Sequence, residues 1–575
     1  MLLRHRIVSI ILLLAFTAVS AKLFYWQVIK GKALSVQAQN QHSLNVSIKA
    51  PRGSILSSDK NWLAARNEAW LLFADLDKLQ GSINEIADRL APITINGDDI
   101  EEIGKDELIN EANRIKNLLT RDDVVWVPIK HKISITDREK IEALQITGLG
   151  FEQEDDRFYP EASAAAHLLG FVGKDESGEN IGYFGLEGYY NLTLSGREGN
   201  LFGERDARGS PILIGKSSEY SAVGGVNLLT HIDRGVQLML EQKLVEGIEK
   251  YGAKAGTAII MDPKTGAVMG MSSYPSYEPA RYPLYSNELF KNPAISDGFE
   301  PGSIFKVLVM AGALDSGDLE PDTKCDICTG SVKIDKYTIE TWDREYRPDS
   351  SMVDVIVHSD NVGMVFVSQK LGIEKMYEYL RKFGIGEQTG IDLQGEFAPK
   401  LREVEKWSIV DLATASFGQG IAITPMQMIR AVSAIANKGK LTVPQVVDKL
   451  LIDGWEEDVE MGETTRVISD EASREITAMM VEAAKSGEAK WTHLRGFNIA
   501  GKTGTAQIPI AGHYDEEKTI ASFVGFAPAD DPKFAMIVTL KEPSSSPWSS
   551  ETAAPLWYSI AKELFMYLGI QPVRN

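Results

Sequence analysis

The chain has 575 residues, too many for one ordinary hydrophobic core, so at least two domains are expected. Apolar residues at 44% and charged residues at 24% exclude a disordered chain. A formal charge of −20, with no basic stripe interleaved with aromatics, speaks against nucleic acid as a partner.

In chain order, Arg4 and Arg6 precede an apolar run from Ile7 to Ala21, followed by Lys22 and the cluster Phe24, Tyr25, Trp26. Ile7 to Trp26 is long enough to cross a hydrocarbon layer of roughly 30 Å, with Lys22 reaching one interface and the aromatics in the headgroup belt. A single-pass anchor occupying residues 1–26 is the reading. The rival is a cleaved signal peptide, because Val19, Ser20 and Ala21 offer small residues at a suitable spacing. Both readings export the rest of the chain. Lys22, Lys30 and Lys32 balance Arg4, Arg6 and the amino terminus, so charge alone does not set the orientation.

Residues 27–225 alternate short β-like runs (HSLNVSIKA, AWLLFADL, DVVWVPI) with polar, acidic helical patterns (INEIADRLAPI, DELINEANRIKNLL, TDREKIEALQI). The expectation is an elongated mixed domain serving as scaffold or partner-binding module, with a glycine-rich junction over 182–210. From residue 226 the texture changes. THIDRGVQLMLEQKLVEGIEKY predicts a helix entered through Thr230 to Asp233, and AGTAIIMDPKTGAVMGMSSY predicts two strands around a Pro-Lys-Thr-Gly turn. KTIASFVGFAP and KFAMIVTLKEP read as buried strands, and ETAAPLWYSIAKELFMYLG as an apolar-striped helix. Strands at both ends of 226–575, with a mostly helical middle from Glu300 to about Ala436, predict one sheet with flanking helices and a helical lobe beside it.

Chemistry concentrates in this second part. A serine hydroxyl needs a neighbour to take its proton. No G-x-S-x-G elbow and no H-E-x-x-H cluster occurs, so neither a histidine-based triad nor metal-activated water is favoured. A lysine base remains. Ser303 and Lys306, in FEPGSIFKVLVMAGAL, are i and i+3 at the start of a predicted helix, behind Pro301 and Gly302. The apolar residues after Lys306 predict a buried helix, which favours a neutral amine. The Ser-x-x-Lys spacing recurs at Ser57/Lys60 and Ser559/Lys562, and Lys-Thr-Gly at Lys264. These are read as a loop, a helix interior and a hairpin turn. Ser303/Lys306, Ser359-Asp360-Asn361 and Lys502-Thr503-Gly504 follow one another in one domain. The last lies on a small-residue β-run alongside which a ligand backbone could lie as an added strand.

That ordered set is the signature of penicillin-binding proteins and serine β-lactamases. The chain resembles the class B penicillin-binding proteins, peptidoglycan D,D-transpeptidases of division and elongation, along almost its whole length. APRGSIL at 50–56, RFYPEASAAAHLLGFVG at 157–173, GLEGYYNLTLSGREG at 185–199, NPAISDGFEPGSIFK at 292–306, TGIDLQGE at 389–396 and ATASFGQGIAITPMQM at 413–428 are similar to segments of that family. The resemblance implies an α+β architecture: a transmembrane anchor at 1–26, a pedestal or dimerisation-like module at 27–225, and a transpeptidase domain at 226–575.

For the site, the resemblance implies that Ser303 attacks the D-Ala-D-Ala carbonyl and that Lys306 takes its proton. Ser359 and Lys502 would pass a proton to the departing nitrogen, and Asn361 would orient Lys306 and the substrate amide. Thr503, Gly504 and Thr505 would bind substrate, with the hydroxyls of Thr503 and Thr505 on its terminal carboxylate. The backbone N–H groups of Ser303 and Thr505 would form the oxyanion hole. No metal or cofactor is implied. The implied ligands are peptidoglycan stem peptides and β-lactams. The implied partners are the membrane, a polytopic glycan-polymerising membrane protein and other components of the division or elongation machinery. The implied location is the cytoplasmic membrane with the catalytic domain outside, and the layout leans to division. The alternatives are a β-lactam sensor, a β-lactamase-like acylating protein and an inactive envelope scaffold. Cys325 and Cys328, the only two cysteines, depart from the family pattern. Their spacing permits a small disulfide or a metal site shared with distant histidines, and an inert loop pair is the reading favoured.

Overall fold

The computed structural model describes residues 2–35, 43–95, 104–204, 218–510 and 513–572, so the end of the glycine-rich stretch at 182–210 lies outside the described residues. Two compact units emerge: Met1–Arg52 with Ser195–Gly225, and Gly53–Leu194 with Val226–Asn575. In the first, an α-helix over Leu2–Phe24 runs into a π-helical turn over Tyr25–Ile29. Its apolar span, Leu3–Ile29, covers 27 residues, is not buried against the rest of the chain, and is long and apolar enough to cross a membrane. The same unit holds a three-stranded antiparallel sheet ordered Ser43–Ile48, Gly199–Glu204, Ser218–Tyr220.

The second unit is organised by a five-stranded antiparallel sheet ordered Val268–Tyr274, Ala255–Met261, Phe534–Lys541, His513–Ala527, Ala500–Ile510. Side chains alternate across a strand. Ala258, Ile260, Phe534, Met536, Val538 and Leu540 therefore enter one core, with the helices Arg234–Tyr251 and Ala553–Tyr567. Ile259, Met261, Ala535 and Ile537 enter the other, with the helices Lys306–Asp315 and Pro425–Ala436. Both faces are covered, which is why these strands read as continuous apolar runs. The helix Arg234–Tyr251 starts where the sequence suggests: the Asp233 carboxylate accepts from the Val236 N–H at 3.0 Å, and Gly252 ends it at φ 60°. The helical lobe between residues 300 and 436 is present, with a short hairpin of Val332–Ile334 and Tyr337–Ile339 inserted in it.

A second, seven-stranded sheet joins strands from both sides of residue 226. Its path runs Trp455–Asp458, Val447–Ile452, Asn227–Thr230, Ile55–Leu56, Trp62–Asp75, Trp126–Ile133, and Leu149–Phe158 also pairs with Trp62–Asp75. The helices Ile83–Thr94 and Lys105–Leu119 bury Ile86, Leu90 and Ile115 against Leu72, Val127 and Ile129 of this sheet. Arg157 and Glu187, from two of the family-like segments, form a buried ion pair at 2.6 Å, and Arg157 also donates to the Gly53 carbonyl at 2.7 Å. Cys325 and Cys328 form a disulfide and are both buried. The Cys325 N–H donates to the Ser350 carbonyl at 2.9 Å, one residue before the cap of the helix that leads to Ser359.

Candidate active site

The chain enters the site through a tight turn. Phe299 pairs with Ile423 as an isolated antiparallel bridge, and the Gly302 N–H donates to the Gly418 carbonyl at 3.1 Å. A side chain at Gly418, whose φ is 79°, would meet the Gly302 carbonyl oxygen at 2.2 Å, so this approach requires glycine. Ser303 stands on a 3-10 turn, Gly302–Phe305, that runs directly into the α-helix Lys306–Asp315. The sequence alone predicts the first turn of the α-helix itself for Ser303, and the 3-10 turn precedes that helix. In a 3-10 turn residues i and i+3 eclipse one another, so Ser303 and Lys306 still share a side.

Every residue from Lys306 to Leu314 is buried, and Lys306 has no exposed surface. Burial first, and then the cation of Lys502, push its amine down to about 7. Nζ of Lys306 donates to the Ser359 carbonyl at 2.6 Å and to Oδ1 of Asn361 at 2.7 Å, with Oγ of Ser359 at 3.3 Å. Two acceptors that can only accept match the two N–H bonds of a neutral amine, and its lone pair is left over.

The segment Ser359-Asp360-Asn361 is shaped to supply these acceptors. The helix Met352–Val357 starts in a capping box between Ser351 and Asp354. It ends with Ser359 in the left-handed region at φ 56°, an unusual conformation for a residue with a side chain. Asp360 then caps the helix Asn361–Leu371, its Oδ1 accepting from the N–H groups of Val362 at 2.8 Å and Gly363 at 3.2 Å. Asp360 is thus occupied in building the turn, while its neighbours face Lys306. Nδ2 of Asn361 donates to the Glu340 carbonyl at 3.1 Å, which turns its oxygen towards the lysine.

The third segment lies on Ala500–Ile510, which among the described residues is an edge strand paired with His513–Ala527 alone. Lys502 is also buried, and burial pushes its amine down while Glu488 opposes that shift. Its Nζ donates to Oγ1 of Thr503 at 3.1 Å, and Thr503 donates to Oε2 of Glu488 at 2.7 Å. Oγ1 of Thr505 lies 3.1 Å from Oγ of Ser549 and accepts from the Ser549 N–H at 3.0 Å. Gly504 lets the strand meet the Ser303 turn: a Cβ there would fall 2.9 Å from the Ile304 nitrogen and 3.0 Å from the Pro301 oxygen. Ser303, Asn361, Thr505 and Glu488 line one cavity of about 250 Å³, with Trp342 and Trp548 on its rim at a ring separation of 5.6 Å.

The three sequence segments therefore converge on one cleft. The family model for the penicillin-binding protein transpeptidase domain matches residues 256–564, more than half of the chain, and that for the penicillin-binding protein dimerisation domain matches 47–230. The chain belongs to the penicillin-binding protein transpeptidase family. It is 30% identical to stage V sporulation protein D of Bacillus subtilis over 582 residues, covering 100% of this chain and 87% of that protein. It is 27% identical to the "Probable peptidoglycan D,D-transpeptidase PenA" of Neisseria gonorrhoeae, covering 97% of this chain and 92% of that one. In fold it matches penicillin-binding protein 3 of Mycobacterium tuberculosis, solved with aztreonam, at a TM-score of 0.70 and 24% identity, covering 92% of this chain and 98% of that chain.

The repeated motifs fall elsewhere. Ser57 and Lys60 sit in a turn where Lys60 pairs with Glu456, Ser559 and Lys562 lie exposed in the helix Ala553–Tyr567, and Lys264 occupies a hairpin turn. Sequence reasoning missed Glu488, Ser549 and the two rim tryptophans. They lie in loops 14 to 45 positions from the nearest residue of the three motifs, and no local pattern marks them.

The contact at Gly504 gives a test whose sign is informative. Glycine to alanine in a strand ordinarily stabilises by about 0.4–1 kcal/mol. Here Gly504→Ala is expected to destabilise by roughly 1–3 kcal/mol, because the new methyl meets backbone of the Ser303 turn. Thermal melting against wild type reads the result, and an unchanged or raised midpoint would contradict this packing.

Proposed function

We propose that this chain is a peptidoglycan D,D-transpeptidase working through an acyl-enzyme on Ser303. The observation that carries the proposal is the fully buried Lys306 amine, lowered to about 7 and held by Ser359 and Asn361 beside the serine turn. Lys306 takes the Ser303 proton as Oγ attacks the carbonyl of the penultimate D-alanine. The backbone N–H groups of Ser303 and Thr505 receive the oxyanion, a term typically worth about 3–4 kcal/mol per donor. As the C–N bond breaks, the proton held by Lys306 passes through Ser359, with Lys502 beside it, to the departing nitrogen, and D-alanine leaves. An amine of a second stem peptide then attacks the ester, forming the cross-link and returning the proton to Ser303. Residues 500–510 present an edge with no strand partner among the described residues, along which the donor peptide lies as an added strand.

In this reading 1–26 is a single-pass anchor in the cytoplasmic membrane, 27–225 a pedestal, and 226–575 the catalytic domain on the outer side, acting in division. β-Lactams acylate the same serine, a reading supported by the relative solved with aztreonam. The apolar helix also contacts a polytopic glycan-polymerising partner.

Intact-mass analysis after incubation with benzylpenicillin tests the nucleophile: a stable adduct on wild type and none on Ser303→Ala is expected, with donor-peptide turnover lost in the same variant. An adduct that persists on Ser303→Ala would place the nucleophile elsewhere. For the partner, exchanging residues 7–26 for an unrelated membrane anchor is expected to reduce co-purification of the glycan polymerase while the protein stays in the membrane. Undiminished recovery would remove the helix from that contact.

A further inference from the structure

The cleft contains a carboxylate to which the mechanism above gives no task. Glu488 follows the helix Asp470–Ser486 through Gly487, where a side chain would meet the Val357 carbonyl oxygen at 2.9 Å, close to the turn that carries Ser359. The glycine lets the chain pass there, and Glu488 emerges half-buried in the wall of the Ser303 cavity.

A hydroxyl has one proton to donate and lone pairs with which to accept. The proton of Thr503 goes to Oε2 of Glu488 at 2.7 Å, and its oxygen accepts from Lys502. Thr505 differs, because its partner at 3.1 Å is the hydroxyl of Ser549. Two hydroxyls can exchange the roles of donor and acceptor by rotation, which frees the Thr505 proton for a ligand. An ionised carboxylate can only accept, so Thr503 cannot exchange roles with Glu488. A ligand carboxylate that seeks the Thr503 proton must displace Glu488 and must also approach its negative charge. Buried Lys502 meanwhile needs a nearby anion, and in the free enzyme Glu488 supplies one through Thr503.

We propose that Glu488 is a resident counter-carboxylate, occupying the Thr503 donor in the free enzyme and competing with the terminal carboxylate of incoming donor peptides and β-lactams. This rests on the reading of Ser303 as the acylated serine and of Thr503 as a carboxylate ligand. Glu488 thereby sets the selectivity of the site between anionic and neutral acylating ligands.

The test compares acylation rates of the full chain by benzylpenicillin and by its uncharged methyl ester, for wild type, Glu488→Asp, Glu488→Gln and Glu488→Thr. Removing the charge is expected to raise the second-order rate for benzylpenicillin by roughly tenfold or more in both neutral variants, with the ester changing by less than about twofold. Glu488→Asp is expected to stay near wild type in its ratio of the two rates. Equal changes for acid and ester, or slower acylation by the acid alone, would overturn the inference and leave the nucleophile assignment standing. Failure of wild type and every variant to form any adduct would overturn both.

Discussion

The site depends on burying two amines close together. Lys306 and Lys502 are each removed from water, and each is pushed towards the neutral form by that burial. Lys306 also feels the charge of Lys502. Such an arrangement is costly unless the surroundings supply acceptors. The Ser359 carbonyl and the Asn361 amide oxygen satisfy Lys306, and Thr503 with Glu488 satisfies Lys502. The strained backbone at Ser359 makes sense in this setting, because the left-handed turn brings a main-chain acceptor and a hydroxyl to one lysine at once.

The fold supplies the rigidity that this burial requires. The helix beginning at Lys306 is apolar on all sides and lies inside the largest core cluster, so the lysine cannot swing out to solvent without unpacking it. Gly302, Gly418 and Gly504 hold three chain segments closer than side chains would permit. An edge strand left unpaired on that side is a hazard in most proteins. Here it borders the cleft, where the proposed donor peptide would pair with it.

Much of this was legible in sequence because the decisive signals are local. Ser303 and Lys306 are three residues apart, Ser359-Asp360-Asn361 and Lys502-Thr503-Gly504 are contiguous, and the sheet strands are uninterrupted apolar runs. What escaped reading is non-local or disguised by composition. The strand Leu149–Phe158 carries four acidic residues in LGFEQEDDRF, within a near-continuous polar run, so its β character comes from pairing along Trp62–Asp75 and not from its own pattern. The hairpin Val447–Asp458 joins a sheet whose other long strands precede residue 226, a connection no window of sequence can show. The two cysteines, read as an inert loop pair with a disulfide as one alternative, are bonded and buried. Glu488 sits between a helix end and a short turn, and only the folded chain brings it to Thr503.

The most direct measurement is the pH dependence of Ser303 acylation by benzylpenicillin under single-turnover conditions, from pH 5 to 10. A buried amine acting as the base must be neutral to work, so the rate is expected to rise with pH and to level off above an inflection near 7, where Lys306 loses its proton. A rate that is flat across this range, or that keeps rising towards the ordinary lysine range near 10.5, would contradict the account.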